Sequence, residues 1–308
     1  MVITVVGSTG TIGSEVVRLL SHAEAPTRAV FRDPRKLQRL SNVVWVQADL
    51  QDARVLEPTL AGTARLFLLT DNHAGFGELQ IRILRAADGL GVEHVVKLSA
   101  LGASDHSKSW IAREHWQVEQ ALQASSMTWT ILRPHAFMQN WLGDLADSVR
   151  NDTVVESPIG DGRVPFIDTR DIAAVALEAL LRPQIHAGHR YFLTGGEAVG
   201  FADVAAVLTD LIGRTVTYRP ISMDEERARM EAAGVPPDQV DATLAIAAYQ
   251  RAGGPTSIVS DKVERILGRR PRTIGDFVRD HAYRFADENT QDIGSGADLA
   301  RDTVATST

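Results

Sequence analysis

An apolar run, Val2-Ile-Thr-Val-Val6, passes directly into Gly7-Ser-Thr-Gly10-Thr-Ile-Gly13, and the following segment to Leu20 repeats its apolar residues at helical spacing. Strand, glycine-rich turn and amphipathic helix in that order predict the start of a parallel β-α-β fold. Gly7 permits a tight strand-to-helix turn, Gly10 lets backbone approach a pyrophosphate, and Gly13 lets helix and strand pack closely. The helix N-terminus then offers free N–H groups and a positive dipole end to phosphate. Gly7, Thr9, Gly10, Thr11, Ile12 and Gly13 are therefore the expected phosphate-binding residues of a dinucleotide site. A turn that serves packing alone is the alternative.

Apolar runs recur at Thr27–Phe31, Val43–Val46, Arg65–Leu69, His94–Leu98 and Thr128–Leu132, with helical periodicity over 78–90 and 110–124 between them. Alternating strands and helices, with strands apolar on both faces, predict an α/β chain of Rossmann type, a doubly wound parallel sheet, over residues 1–150. From 151 to 285 short extended pieces (153–156, 164–167, 190–193, 216–219) alternate with helices near 169–182, 201–213, 223–233 and 237–251. That pattern predicts a smaller, discontinuous C-terminal α/β lobe, with segments returning to the sheet, at the carboxyl edge where such folds bind ligands. Residues 286–308 are small, polar and acidic, and read as a flexible tail.

The net charge of −7 argues against a nucleic-acid partner, because a phosphate-tracking face needs concentrated Lys and Arg. Arg269, Arg270 and Arg272 cluster, and are expected to form a solvated face. With no cysteine there is no disulfide, thiolate ligand or cysteine nucleophile, which fits a reducing compartment. No apolar run approaches the ~20 residues that span a bilayer, and the N-terminus lacks a basic region and breaks at Gly7. A cytoplasmic protein, without membrane partners, is expected.

Where the second strand ends, an acidic residue selects NAD through the ribose hydroxyl, and arginine accommodates the 2′-phosphate of NADP. Here Arg28-Ala-Val-Phe31 ends in Arg32, followed by Asp33-Pro-Arg35-Lys36. Arg32, Arg35 and Lys36 favour a phosphate dianion and hence NADP; Asp33 pulls toward NAD.

Gly7-Ser-Thr-Gly-Thr-Ile-Gly13, Arg32-Asp-Pro34, Ala48-Asp-Leu50, the run Gly91 to Ala100, Thr130-Ile-Leu-Arg-Pro134 and Val164 to Ile172 resemble the NmrA-like atypical short-chain dehydrogenase/reductases. Gly268 to Phe277 fits as well, and the likeness, strongest to quinone-reductase and triphenylmethane-reductase members, spans about residues 1–285. It implies that Asp49 and Leu50 lie near the adenine, that Leu69 and Thr70 flank the cofactor, and that Pro134 sits beside the nicotinamide. As alternatives from the residues alone, Asp49 is a helix N-terminal charge and Thr70 a strand-end turn residue.

The wider superfamily uses a Tyr-x-x-x-Lys pair; those positions here are Ile111 and His115. Isoleucine donates no proton. The quinone-reductase-like members carry a Glu-His pair matching Glu114-His115, so His115 is expected to contact the cofactor ribose and is the catalytic candidate, with a structural helix histidine as the alternative. Ser99 falls where the superfamily serine sits and is the second catalytic candidate; otherwise it is a turn hydroxyl. His135, Phe137, Met138, Asn140 and Trp141 follow the Arg133-Pro134 corner and are expected to line the substrate pocket, although Phe137 and Trp141 also have the spacing of a core stripe. His115 and Glu119 share a helix face but lack a third ligand, so no metal site is expected. A G-x-S-x-G elbow is absent, which removes the serine-hydrolase reading. Asp168 reads as a helix N-cap, with Asp171 complementing the dipole.

These features together predict an NADPH-dependent oxidoreductase passing hydride to a small conjugated or aromatic acceptor, a quinone or related carbonyl compound, working as monomer or homodimer. Positioning carries such catalysis, because the product can take its proton from water. The missing Tyr-Lys pair keeps open a non-catalytic NAD(P) sensor, and the fold alone also admits a non-redox biosynthetic enzyme.

Overall fold

The computed structural model describes residues 1–286, so the expected tail lies outside the described residues from 287 onward. The chain runs through β1 (Val2–Val5), α1 (Thr11–His22), β2 (Thr27–Phe31), β3 (Val43–Gln47), α2 (Ala53–Leu60), β4 (Thr63–Leu68), α3 (Phe76–Gly89), β5 (His94–Leu98), α4 (Trp110–Gln123) and β6 (Thr128–Pro134). It continues through α5 (Asp144–Asp152), β7 (Val154–Ser157), α6 (Thr169–Leu181), α7 (Pro183–His186), β8 (His189–Leu193), α8 (Phe201–Ile212), β9 (Thr217–Pro220), α9 (Met223–Ala232) and α10 (Pro237–Ala252). Short helices α11 (Lys262–Leu267), α12 (Ile274–Asp280) and α13 (Ala282–Phe285) follow.

Seven parallel strands form one sheet in the order β3-β2-β1-β4-β5-β6-β8. The chain winds outward from β1 through β2 and β3, then crosses back to β4 on the other side of β1. That reversal opens a crevice at the carboxyl ends of β1 and β4. Strand residues alternate between two cores: Phe67 packs with α1 and α6, while Leu66 and Leu68 face α3 and α4. Burial on both faces is why these strands read as continuous apolar runs.

The extended piece expected at 190–193 is β8, the edge strand of this sheet beside β6, and α6 packs on α1; both belong to the main layer rather than to the lobe. The piece expected at 164–167 forms no ladder. It makes isolated bridges from Val164 to Val199 and from Ile167 to Phe137, because Pro165 has no N–H to extend a strand. β7 and β9 pair in parallel as a separate two-stranded sheet, and the lobe closes over Trp141, Phe166, Phe201 and Phe277. Trp141 meets Phe166 and Phe277 edge-on at centroid distances of 4.9 and 5.7 Å. At 3% exposed, Trp141 is the centre of this cluster and not a pocket residue, and buried Met138 lies beside it. The core-stripe reading applies to Trp141, because its large apolar ring is buried most completely among other rings.

Arg269 and Arg272 depart from the expected solvated face as well. Arg269 donates to the buried Asp171 at 2.7 Å, the Arg272 guanidinium pairs with the same carboxylate, and the Arg272 backbone N–H adds a bond at 2.7 Å. Asp171 thus ties the segment before α12 to the start of α6. Asp168 caps α6 as expected, accepting from the Arg170 N–H at 2.8 Å.

Candidate functional site

A cavity of about 1000 Å³ opens at the carboxyl edge of the sheet, running from the glycine turn to α10. Gly7, Thr9, Gly10, Thr11 and Ile12 line one end; Arg32, Asp49, Leu50, Leu69 and Thr70 line its flank; Ser99, His115, Pro134, His135, Phe137 and Asn140 line the part toward the lobe. Gly13 is the one turn glycine that does not line it.

The three glycines serve different ends. Gly7 has φ +78°, and a Cβ there would meet the Leu69 carbonyl oxygen at 2.5 Å. A Cβ on Gly13 would stand 2.0 Å from the Gly7 oxygen, so Gly13 closes the turn internally. At Gly10 the backbone is extended and a Cβ would touch only Gly7 O, at an ordinary 3.5 Å. Inside the protein, alanine fits at Gly10; the free space is the cavity's. The N-terminus of α1 has no side-chain cap and no acidic residue in its first turn, leaving its N–H groups for an anion. The donor set therefore fits a dinucleotide pyrophosphate.

Of the three cations expected around the 2′-phosphate, Arg32 alone lines the cavity, paired across it with Asp71 at 2.6 Å. Arg35 is held by Asp33, whose carboxylate also caps the short turn 34–36; the two groups bond at 2.8 Å. Asp33 is thereby used locally. Asp49 is exposed at the cavity and accepts from Gln51 N–H at 3.1 Å, while α2 is capped by Asp52 instead. Thr70 accepts from the buried Gln80 amide at 2.7 Å.

His115 stands on α4, nearly buried, with the Phe76 ring 4.8 Å away. Its Nδ1 lies 3.2 Å from the Nζ of Lys97, which donates also to the Leu98 carbonyl. Burial, with the neighbouring Lys97 and Arg133 charges, holds the His115 pKa well below its usual value, so the ring is neutral. When Lys97 is protonated it donates to Nδ1, and the ring then carries its proton on Nε2. Burial likewise pushes Lys97 down to about 7, partly opposed by Glu119. Lys97 escaped the sequence reading, although one lysine inside the apolar run Val95-Val-Lys-Leu98 was a visible anomaly.

Ser99 cannot offer a free proton. Its hydroxyl donates to Glu119 at 2.5 Å, and Arg133 reaches the same carboxylate at 2.7 and 2.8 Å. Arg190 Nε lies 3.1 Å from it. Glu119, with no exposure, is the hub that ties α4 to β5, β6 and β8 beneath the Pro134 corner. Glu114, the other half of the Glu-His pair, turns to α3 and accepts from the Gly75 and Gly77 N–H groups at 3.2 and 2.6 Å. His135 lines the cavity with both nitrogens engaged: Nδ1 accepts from Ala136 N–H at 2.7 Å, and Nε2 donates to the Thr256 carbonyl at 3.0 Å. Desolvation lowers its pKa to about 4. It contributes a surface, not a donor. Phe137 and Asn140 do face the cavity. Sequence reasoning missed Ile246 and Tyr249, whose wall on α10 comes from over a hundred residues away in the chain. Among the described residues no cluster of metal-ligating side chains occurs and no helix is long and apolar enough to cross a membrane.

A family model described as "NmrA-like family" matches residues 1–249. An NAD(P)H azoreductase of Xenophilus azovorans is 37% identical over 288 residues, 92% of this chain and 99% of its own length. A (4-alkanoyl-5-oxo-2,5-dihydrofuran-3-yl)methyl phosphate reductase of Streptomyces griseus is 34% identical over 93% of this chain and all of its own. Among solved structures, the NADPH-dependent quinone oxidoreductase of Escherichia coli in complex with NADPH superposes with a TM-score of 0.81 at 27% identity, covering 92% of this chain and 100% of that one.

Proposed function

Because this chain belongs to the NmrA-like family, we propose that it is an NADPH-dependent oxidoreductase that passes hydride to a small conjugated or aromatic acceptor, a quinone or related compound. The observation that carries the reading is one continuous cavity with the glycine turn and open α1 N-terminus at one end and His115, Pro134, Phe137 and the α10 side chains at the other. Proteins named NAD(P)H azoreductase and NADPH-dependent quinone oxidoreductase, to which the chain is similar, support it. The dinucleotide, when bound, supplies the hydride.

The chain's own residues bind and orient. The N–H groups of the turn and of α1 hold the pyrophosphate, Arg32 leaves Asp71 for the 2′-phosphate, and Asp49 with Leu50 borders the adenine. The Nε2–H of His115 is the donor for the nicotinamide ribose, held in that tautomer by Lys97. Ile111 takes the superfamily tyrosine's place in the cavity wall, so no phenol stands at that position on α4. The reduced acceptor draws its proton from water, so the protein's contribution is alignment. A cytoplasmic setting and a small-molecule substrate, with the protein as monomer or homodimer, complete the reading.

Multi-turnover NADPH oxidation against a panel of quinones and azo compounds tests it; binding without turnover against every acceptor would favour a sensor. For the cofactor, Arg32→Ala is expected to cost ~1.5–3 kcal/mol in NADPH binding, the scale of a charged hydrogen bond, and little in NADH binding. Calorimetric titration of both cofactors decides, and equal losses would remove Arg32 from phosphate recognition. His115→Ala should weaken NADPH binding by ~0.5–1.5 kcal/mol, the net worth of a neutral hydrogen bond.

The lysine behind it adds a pH signature. Lys97 faces His115 and Glu119 from α4 and is linked through Glu119 to Arg133 of β6. Its protonated form fixes the imidazole tautomer below a pH of about 7; above that the neutral amine can accept from Nδ1–H and release it. Turnover at saturating NADPH is expected to fall as pH rises through neutrality in the wild type and to lose that step in Lys97→Met. An unchanged profile in the variant would reduce Lys97 to a packing role.

A further inference from the structure

The cavity end beyond Pro134 is built from two unlike walls. On one side α10 turns Ile246 and Tyr249 into it, 43% and 50% exposed, large side chains with nothing over them. On the other the turn before α4 presents Ser104, Ser107, Lys108 and Ser109. Ser109 is 5% exposed, and its hydroxyl is buried without capping α4 and without a hydrogen-bond partner among the described residues.

Three further observations concern this second wall. The first turn of the 14-residue α4 has no acidic side chain, so its free N–H groups and dipole are uncompensated. Lys108 is exposed at the cavity and forms no ion pair among the described residues, whereas nearby Asp105 lies off the cavity and sits 3.6 Å from His106. The turn is also held in place: Arg113 donates to the Ser107 carbonyl at 2.6 Å and to that of Lys108 at 2.9 Å, and Trp110 Nε1 bonds to the Asp238 carbonyl of α10 at 3.0 Å. An unsatisfied buried hydroxyl costs free energy unless a ligand meets it.

Resting on the oxidoreductase reading, we propose that the N-terminus of α4, with Ser109 and Lys108, is an anion subsite, and that the acceptor is an aromatic or conjugated molecule bearing an acidic substituent such as a carboxylate, sulfonate or phosphate. The ring system lies against Ile246 and Tyr249, and the acidic group reaches the α4 N–H groups and the Lys108 ammonium, with the Ser109 hydroxyl, buried in the unliganded protein, turning about its Cα–Cβ bond to meet it. The acidic group takes no part in the bond changes; it orients the ring for hydride addition. This subsite is separate from the phosphate cradle at α1, which lies across β4 from it.

The test uses a matched pair, a naphthoquinone bearing a propanoate side chain and the methyl ester of the same compound, with the full chain and NADPH. The acid is expected to have the lower KM, by about 10-fold, the usual scale for charge-assisted hydrogen bonds, and to lose that advantage in high salt. Lys108→Gln and Ser109→Ala should each raise KM for the acid and leave KM for the ester within about two-fold, with kcat retained. Ser109 makes no capping bond, so its alanine variant keeps α4 intact. Calorimetric binding of the acid to the NADP⁺-loaded protein gives a readout independent of turnover. Acid and ester affected alike by both variants, or an acid that binds no better than the ester, would overturn the anion subsite. Consumption of NADPH with neither compound would sink the oxidoreductase reading, while variant-sensitive binding of the acid would still uphold the subsite.

Discussion

Gly10→Val is expected to abolish dinucleotide binding while the protein stays folded. The backbone at Gly10 is extended, and a Cβ would meet only the Gly7 oxygen at 3.5 Å, so a branched side chain costs the fold little. Its methyl groups must instead occupy the cavity where the pyrophosphate approaches. Overpacking costs ~1–3 kcal/mol and each lost hydrogen bond to a charged group ~1.5–3 kcal/mol, which together amount to a fall in affinity beyond about 100-fold. NADPH fluorescence titration and circular dichroism of the same sample measure the two halves. Normal NADPH binding by the folded variant would mean the cofactor site has been misplaced. Gly13→Ala provides the contrast: its Cβ would stand 2.0 Å from the Gly7 oxygen, so there the turn itself must move and stability falls with binding.

Glu119→Ala should be the most destabilising single change in the site. The carboxylate is fully buried and accepts from Ser99 and doubly from Arg133, itself nearly buried under Trp116 and Phe192, whose rings lie 5.8 Å from its guanidinium. Removing it strands the Arg133 charge, and breaking such a buried pair costs ~3–5 kcal/mol. Glu119→Gln keeps an acceptor for Ser99 and should recover part of the loss. Urea unfolding of the three proteins gives the comparison. A cost below about 1 kcal/mol, the range of an exposed pair, would show that the network carries little of the stability beneath the Pro134 corner.

Local patterns made the first half of the chain legible. The strand at 94–98 and the helix at 110–123 were visible because a buried parallel strand is apolar throughout and an amphipathic helix repeats at 3.6 residues. The glycine turn was visible because its spacing states a backbone requirement within a few residues of chain. Arg32 was legible as a strand-end cation. The fate of Arg35 was not, since Asp33 claims it through a side-chain geometry that composition leaves open. Phe137 and Trp141 share one helical spacing, yet Phe137 faces the cavity and Trp141 sits among Phe166, Phe201 and Phe277. No periodicity separates them, because the rings that enclose Trp141 come from distant segments.

By itself the sequence determined the parallel α/β layering, the place of the dinucleotide turn and the loss of the tyrosine donor, all consequences of residue type and short-range spacing. Only the tertiary structure decided which polar groups are free. Ser99 is spent on Glu119, His135 on Thr256 and Ala136, and Arg269 with Arg272 on Asp171, whereas the Ser109 hydroxyl is left without a partner among the described residues and Lys97 is set behind His115. Hydrogen bonds and ion pairs are settled by contacts between residues far apart in the chain, and burial sets both their strength and the protonation of the groups that make them.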